Sequence, residues 1–289
     1  MKPPAFAYCA PERVDEVLAL LAEHGSDARL LAGGQSLVPL MNLRMARPEV
    51  LIDLNRCADL GRIERTPAGV NYGAMVRQVE AERSALTRTH CPLVARALAQ
   101  AGPIAVRTRA TVGGTLAHAD RAAELPGVAV ALDATLVLER RSGRREVSAQ
   151  AFFQGDMTTV VEPDEMLRAV TFPATEASAF AEFFEIGLRQ EGVAIAGLAA
   201  YVAWAAGGGV ADVRLAVIGV EAAPVRLATI ESALKGQMLT PALIAEARRL
   251  AAAAVDPIDD AHATAKYRKH VTGALVKKAL EGARHGTKR

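Results

Sequence analysis

The first fifty residues alternate between an amphipathic helical pattern and two short apolar runs. The segment ERVDEVLALLAEHG, which begins at Glu12, places its valines and leucines on one helical stripe, and Gly25 predicts where that helix ends. The segment ARLLAGG predicts a short strand that enters a glycine turn. A helix interrupted near Pro39 and a buried strand, VLIDLN, are predicted to follow. Together these elements predict a β-α-β unit with a glycine turn at a strand end, where ligands are commonly held.

A different alternation of short strands and helices begins near Cys57. The segment IERTPAGVNYGAMVRQVE predicts two strands and a helix, and PLVARALAQAG predicts an apolar helix that ends at Gly102. After a second glycine turn, GVAVALDATLVLERRSGRREVS predicts a helix and then two strands joined at Ser142 and Gly143. The segment DEMLRAVTFP predicts an edge strand that Pro173 ends, because proline is tolerated at sheet edges.

Beyond Ala174 the pattern is simpler. Long apolar runs on either side of the glycines at 207–209 predict an antiparallel hairpin. Two helices are predicted next, the second with Thr240 as its N-cap and Pro241 at its first position. A final amphipathic helix is predicted in AHATAKYRKHVTGALVKKALEG. No internal repeat accompanies these elements.

Composition and charge narrow the class of protein. Of 289 residues, 51% are hydrophobic and 23% are charged, as in an ordinary soluble globular protein, and the net charge is +2. Nucleic-acid-binding proteins normally carry a concentrated basic surface, which this balance does not provide. No apolar run is long enough to span a bilayer and the N-terminus lacks a signal-peptide pattern, so we expect a cytoplasmic protein.

Potential metal ligands and catalytic groups are scattered along the chain. Cys9, Cys57 and Cys91 form no CxxC pair and are too few for a four-cysteine iron–sulfur cluster. The six histidines show no spacing typical of zinc ligands. We therefore predict neither a metal site nor a catalytic acid, base or nucleophile, and we expect His118 and Asp120 to brace their loop.

Two turns rich in small residues, AGGQS at 32–36 and TVGGT at 111–115, indicate a site for anionic oxygens. Glycine lets the backbone approach a ligand closely, and successive amides form a concave nest for such oxygens. Ser36 and Thr111 each add a hydroxyl donor. Two such turns fit one ligand with two phosphates better than a mononucleotide, although either glycine pair alone is also typical of a tight structural turn. Neither turn matches GxxxxGK[ST] or GxGxxG, so neither a P-loop nor a Rossmann fold is predicted.

The segments LLAGGQSLVPLMNLRMARPEVLIDLN and RTRATVGGTLAHADRAAELP closely resemble the FAD-binding medium subunit of the molybdenum hydroxylase family. The resemblance extends to NYGAMVRQVEAE, GGGVADVRLAVIGVEAAPVRL and ATAKYRKHVTGAL, and thus covers nearly the whole chain in order. It implies an α+β chain: a two-subdomain FAD-binding fold of the PCMH/vanillyl-alcohol-oxidase type, then a C-terminal domain of antiparallel strands and helices. By this resemblance, residues 1–55 form the first FAD-binding subdomain, 56–173 the second, and 174–289 the C-terminal domain.

The resemblance also places the FAD diphosphate between the two glycine turns. It implies that the Glu124 carboxylate accepts a hydrogen bond from a ribose hydroxyl and that Leu167, in the predicted edge strand, lines the cofactor. Replacing Gly34 or Gly114 by valine is expected to abolish FAD retention, because a Cβ would intrude on the phosphates. The implied cofactor-binding residues are Leu31, Ala32, Gly33, Gly34, Gln35, Ser36, Val106, Thr111, Gly113, Gly114, Thr115, Ala117, Asp120, Glu124 and Leu167.

Several positions depart from the family pattern. Pro103 stands where a histidine is frequent, Ala110 where a glycine often precedes the second turn, and Arg121 where a proline is usual. Gly192 and Val193 occupy the positions of an Asp-aromatic pair that lies near the flavin ring in relatives. These departures leave open the environment of the ring and the electron acceptor, whether quinone, cytochrome, oxygen or NAD.

In the family, a large molybdopterin subunit hydroxylates the substrate and a small subunit carries two [2Fe-2S] clusters. The resemblance implies that this chain is the FAD-carrying medium subunit, which passes electrons from the clusters to an external acceptor within a dimer of heterotrimers. Molybdopterin and the clusters are expected on the partner subunits only. Two alternatives stay open: a self-sufficient flavin oxidase of the same fold, and a cofactor-free scaffold subunit. The sequence leaves the substrate open among an N-heteroaromatic compound, an aldehyde and carbon monoxide.

Overall fold

The computed structural model describes residues 2–189 and 192–286. The first sheet comprises β1 (Ala7–Cys9), β2 (Ala28–Leu31) and β3 (Val50–Asp53), with helices α1 (Val14–His24) and α2 (Leu37–Asn42) in the connections. Its strands are parallel and lie in the order β1-β3-β2. Helix α1 buries Val17, Leu18 and Leu21, which are spaced as the apolar stripe predicted.

The predicted β-α-β unit is confirmed, but the predicted interruption near Pro39 is wrong. Helix α2 runs through Pro39, which is its third residue. Proline is tolerated there because the amides of a helix's first turn have no intrahelical acceptor. The first glycine turn therefore leads directly from β2 into α2.

The second sheet is antiparallel and has the strand order β4-β5-β10-β6-β7. Its helices are concentrated in the long connection between the second and third strands along the chain. The elements of this region are β4 (Ile63–Thr66), β5 (Gly69–Gly73), α3 (Gln78–Arg83), α4 (Ala85–His90), α5 (Pro92–Leu98), α6 (Ile104–Arg107), α7 (Val112–His118), α8 (Glu124–Ala131), β6 (Thr135–Arg140), β7 (Gly143–Ser148), α9 (Ala149–Phe152), β8 (Phe153–Gly155), β9 (Thr158–Thr159) and β10 (Met166–Phe172). Strands β8 and β9 pair with each other in a separate two-stranded sheet.

Strand β10 is the central strand of this sheet, so its prediction as an edge strand is wrong. It pairs with β5 on one side and with β6 on the other. Pro173 follows the last residue of the strand, so its missing N–H removes no bond from either ladder. A register shift between Leu167 and Ala169 marks a bulge in the pairing with β6.

The third sheet has the order β11-β12-β13-β14 and carries three helices. Its elements are β11 (Phe180–Gly187), β12 (Ala194–Trp204), β13 (Val210–Ile218), β14 (Val225–Arg226), α10 (Ala228–Leu234), α11 (Pro241–Ala253) and α12 (Ala265–Gly286). The hairpin at the three glycines is confirmed by the pairing of β12 with β13. The predicted cap is confirmed too, because the Thr240 hydroxyl accepts from the Leu243 amide at 3.2 Å.

Strand β12 is buried on both faces, which explains its nearly continuous apolar sequence. Alternate residues such as Leu198 and Val202 belong to a core with α11 and α12. The residues between them, such as Ala199 and Tyr201, belong to the core that includes α5 and α8. The C-terminal sheet is thus packed directly against the helices that follow β5.

The three larger sheets span 7–53, 63–172 and 180–226 along the chain. The predicted domain bounds at 55 and 173 stay a prediction. Within the described residues, no helix is both long enough and apolar enough to cross a membrane.

Candidate functional site

The first glycine turn offers a row of backbone donors. The amides of residues 33–36 donate to no protein acceptor within the described residues. Gly34 has φ +73°, a left-handed conformation that glycine adopts without a Cβ penalty. The side chain of Gln35 donates to the Gly33 carbonyl at 3.0 Å and stabilises the turn from within. Four successive unpaired amides at a strand end are typical of a nest for anionic oxygens.

The two glycine turns contact each other. A Cβ on Gly33 would lie 2.2 Å from the carbonyl oxygen of Arg109, so the first turn packs on the backbone that leads into the second. A Cβ on Gly114 would lie 3.5 Å from the Cβ of Ala32. The structure therefore brings together the two segments that the sequence marked, as one ligand spanning both would require.

The second glycine turn differs from expectation, because it is the first turn of α7 and its amides are occupied. The Val112 amide donates to Val76 at 2.9 Å, and the Gly113 amide donates to Ala74 at 3.0 Å. The Gly114 amide donates to the hydroxyl of Thr111, the N-cap, at 2.9 Å. These amides serve the protein and not a ligand, contrary to the expectation drawn from the glycine pair.

The second turn can still offer two hydroxyl groups as hydrogen-bond donors to a ligand. Thr111 accepts from the Gly114 amide and Thr115 accepts from Gln78 Nε2 at 2.8 Å, so each retains its own hydrogen for donation. A Cβ on Gly113 would lie 2.5 Å from the Cβ of Ala74, so packing alone requires this glycine. Glycines that look alike in the sequence thus have different roles in the two turns.

The remaining predicted residues lie around the junction, which is the place where the two glycine turns contact each other. Leu31 ends β2, Val106 lies in α6 and Ala117 lies exposed in α7. Leu167 is buried in β10. Asp120 accepts from the Ala122 amide at 2.8 Å and braces its own loop, but no hydrogen bond joins it to His118 within the described part of the chain.

Glu124 begins α8 and is protonated near neutral pH. Burial, followed by the charges of Glu185 and Asp120, raises its pKa to about 8. Burial likewise raises the pKa of Glu185, on β11, to about 7, and its Oε2 is buried without a hydrogen-bond partner among the described residues. The predicted ribose acceptor is therefore a carboxyl group that can donate or accept a hydrogen bond at physiological pH.

Three residues that the sequence did not single out hold the turns in place. Asn55 Nδ2 donates to the Ala32 carbonyl at 3.0 Å, and Arg77 Nη2 donates to Asn55 Oδ1 at 2.5 Å. Arg77 Nη1 donates to the carbonyl of Arg109. Gln78 is buried beside Thr115. The signal available for Asn55 was its place just after the apolar strand β3. Arg77 and Gln78 lie within NYGAMVRQVEAE, a segment that carries the family resemblance, but nothing in that segment assigned them a role.

The departures from the family pattern fall in three places. Pro103 is the N-cap of α6, and Ala110 is buried with its carbonyl accepting from the amide of Gln78. Arg121 forms an ion pair with Asp260 at 2.6 Å, which ties the loop before α8 to the connection between α11 and α12. Gly192 and Val193 follow residues 190–191, which lie outside the described residues, and Val193 is exposed.

The residues around the turns fit a diphosphate better than a metal ion. Among the described residues, no group of His, Cys, Asp and Glu is arranged to hold a metal. The free amides of 33–36 and the hydroxyls of Thr111 and Thr115 are instead hydrogen-bond donors, which phosphate oxygens accept. Chemically, the place where the two turns meet is suited to binding an anion.

Comparison with known proteins agrees with this chemistry. A family model described as the FAD binding domain in molybdopterin dehydrogenase matches residues 4–175, and one described as the CO dehydrogenase flavoprotein C-terminal domain matches residues 182–283. The chain is 36% identical to the carbon monoxide dehydrogenase medium chain of Hydrogenophaga pseudoflava, over 98% of each chain. It is 35% identical to the alpha subunit of the 6-hydroxypseudooxynicotine dehydrogenase complex of Paenarthrobacter nicotinovorans, over 99% of this chain and 96% of that subunit.

Comparison with solved structures also finds oxidoreductases that match over almost the whole chain. Carbon monoxide dehydrogenase from Hydrogenophaga pseudoflava matches with a TM-score of 0.95 and 36% identity over 99% of both chains. Quinoline 2-oxidoreductase from Pseudomonas putida 86 matches with a TM-score of 0.95 and 32% identity over 100% of both.

Proposed function

The chain belongs to the FAD-binding medium subunits of the molybdenum hydroxylase family, and from this premise we propose that it carries the electron-transfer flavin of a multi-subunit dehydrogenase. The observation that supports this most directly is the row of unpaired amides at residues 33–36. Related chains are subunits of dehydrogenase complexes, so an oxidoreductase role is common to them.

In this proposal each part of the junction binds one part of FAD. The amides of 33–36 hold the diphosphate, and the hydroxyls of Thr111 and Thr115 donate to it from the opposite side. Glu124 binds a ribose hydroxyl, and Leu167 provides an apolar wall in the central strand. Apolar surroundings exclude water, while the polar contacts fix the orientation of the cofactor.

The proposed electron route passes through three chains. Two [2Fe-2S] clusters on a small partner subunit deliver electrons, and a large molybdopterin subunit oxidises the substrate by hydroxylation. FAD, when bound, supplies the exchange between one-electron and two-electron transfer. This chain's residues bind and orient it near the small subunit and leave a face open to an external acceptor. We propose a dimer of such heterotrimers, and a cytoplasmic location stays a prediction.

The test is an absorption spectrum of the purified chain, then acid release and chromatography of any bound chromophore. We expect FAD near one equivalent per chain, with neither iron nor molybdenum on this chain after it is separated from its partners. A colourless chain that fails to bind added FAD, alone or with its partners, would refute the proposal and favour the scaffold. A flavin that is reduced directly by an organic substrate in the isolated chain would favour the self-sufficient oxidase.

A further inference from the structure

Arg77 stabilises the seam between the two glycine turns, where Gly33 packs on the carbonyl of Arg109. Arg77 Nη2 donates to Asn55 Oδ1 at 2.5 Å, and Asn55 in turn donates to the Ala32 carbonyl at 3.0 Å. Arg77 Nη1 donates to the Arg109 carbonyl, on which Gly33 packs so closely that a Cβ would lie 2.2 Å from it. Arg77 therefore contacts the supports of both turns at the base of the row of free amides.

A second arginine at the same seam has a free charged group. Arg109 is exposed, and within the described residues its guanidinium makes no hydrogen bond and no ion pair. The hydrogen bond from Arg77 Nη1 to the Arg109 carbonyl places the Arg77 guanidinium against the backbone of Arg109. Burial, and then the like charge of Arg109, lower the pKa of Arg77, while the charges of Glu80 and Asp53 raise it. Neither Asp53 nor Glu80 forms an ion pair with these arginines within the described residues: Asp53 accepts from Tyr8 and Asn55, and Glu80 accepts from the backbone amide of Arg77.

Like charges repel, and an anion bound beside both guanidinium groups would relieve that repulsion. Backbone amides alone supply only partial charges, whereas the diphosphate of a dinucleotide is fully ionised at neutral pH. Guanidinium groups match phosphate oxygens in geometry, and charge-assisted bonds of this kind are about twice as strong as neutral ones. The unpaired cations and the unpaired amides at one seam thus complement the same ligand group.

We propose that Arg77 and Arg109 form a diphosphate-binding pair, in which Arg109 donates directly to phosphate oxygens and Arg77 is the positioning residue that fixes the two turns. This inference rests on the proposed FAD site and extends it to two side chains outside both glycine turns. The fork of Arg77 reaches two separate acceptors, an arrangement that the single ammonium of lysine does not reproduce. Arg109, by contrast, contributes charge, which lysine retains in part.

The test compares variants of the full chain for affinity to FAD, by flavin fluorescence quenching, and to ADP, by calorimetry. Arg109→Met is expected to weaken both ligands by about ten- to hundredfold, the loss typical of a bond to a charged group, and to flatten the salt dependence of binding. Arg109→Lys should restore most of that salt dependence. Arg77→Lys should weaken both ligands as much as Arg77→Met although it keeps the charge. Arg83→Met, at an exposed position of α3, is the control.

The outcomes separate this inference from the proposed function. Wild-type affinity for FAD and ADP in Arg109→Met, matching the control, would refute Arg109 as a ligand. Wild-type affinity in Arg77→Lys would refute its positioning role, whereas a lowered melting temperature with unchanged affinity would reduce Arg77 to a structural residue. A wild-type chain that binds neither ligand would overturn the FAD assignment itself, and this pair with it.

Discussion

Replacing Glu124 by glutamine is expected to stabilise the FAD-free chain at alkaline pH and to change its stability little near pH 5. The folded chain holds this proton with a pKa of about 8, well above the ordinary value of 4.5. The folded state therefore binds the proton more tightly than the unfolded state does. The stability that this proton contributes is complete below the ordinary pKa and is lost as the pH rises towards 8. Glutamine does not ionise, so the Glu124→Gln variant retains that stability as the pH rises.

The magnitude follows from the gap between the two pKa values. Each pKa unit corresponds to about 1.4 kcal/mol, so above the folded pKa the variant gains at most about 5 kcal/mol in the free energy of unfolding. Because Glu124 keeps some exposed surface, solvent screening reduces this value, and we expect a gain of roughly 3 kcal/mol at pH 8.5. Such a gain is a large fraction of the stability of an ordinary domain.

The assay is urea unfolding of the FAD-free chain, measured at about pH 5 and at about pH 8.5. Glu64→Gln is the matched control, since Glu64 is exposed on β4 and makes no hydrogen bond or ion pair within the described residues. The reasoning would fail if Glu124→Gln were no more stable than the wild type at the higher pH. It would also fail if the gain were equal at both values, because a proton-linked effect must grow with pH.

Three further substitutions test other features. Gly34→Ala should lower flavin retention after gel filtration, because a φ of +73° costs alanine about 1 kcal/mol and relief of that strain would reorient the free amides. Gly207→Ala is the control and should retain flavin, since a Cβ there meets nothing within 4 Å. Gly113→Ala should lower the melting temperature even without FAD, since overpacking costs about 1–3 kcal/mol; an unchanged melt would contradict the packing role. Asp260→Asn should destabilise the chain by about 3 kcal/mol at neutral pH, because Arg268 is left buried without its ion pair. The Arg268 guanidinium holds the pKa of Asp260 well below its ordinary value, so this difference should vanish as the pH falls through that lowered pKa; an equal difference at acidic pH would contradict it.

Local patterns predicted the elements well where local physics decides them. The stripe of α1 and the cap at Thr240 follow from spacing and side-chain chemistry within a few residues. The central position of β10 does not, because its neighbours β5 and β6 are set by pairings across long stretches of chain. A seven-residue apolar strand followed by proline has the same sequence at an edge as in the middle of a sheet.

The candidate site, too, could be predicted from the sequence only where local patterns determine it. The residues of both turns were marked by their composition, and the structure places the turns in contact. The hydrogen bond from the Gly113 amide to the Ala74 carbonyl depends on a tertiary contact that no local pattern encodes. The roles of Asn55 and Arg77 depend on the meeting of separate segments, so single polar residues in connections gave no signal.

The structure also changes what a glycine substitution can test. A Cβ on Gly114 would lie 2.7 Å from the hydroxyl oxygen of Thr111, so Gly114→Val breaks the helix cap whether or not a phosphate is near. Flavin loss in that variant would therefore say nothing about phosphate contact. Replacing Thr111 by serine retains the cap and the donor, whereas aspartate retains the cap acceptor but has no hydrogen to donate to a phosphate. If Thr111→Asp loses flavin without a change in melting temperature, and Gly113→Ala lowers the melting temperature by overpacking against Ala74, the two functions of this turn, binding and packing, are separable.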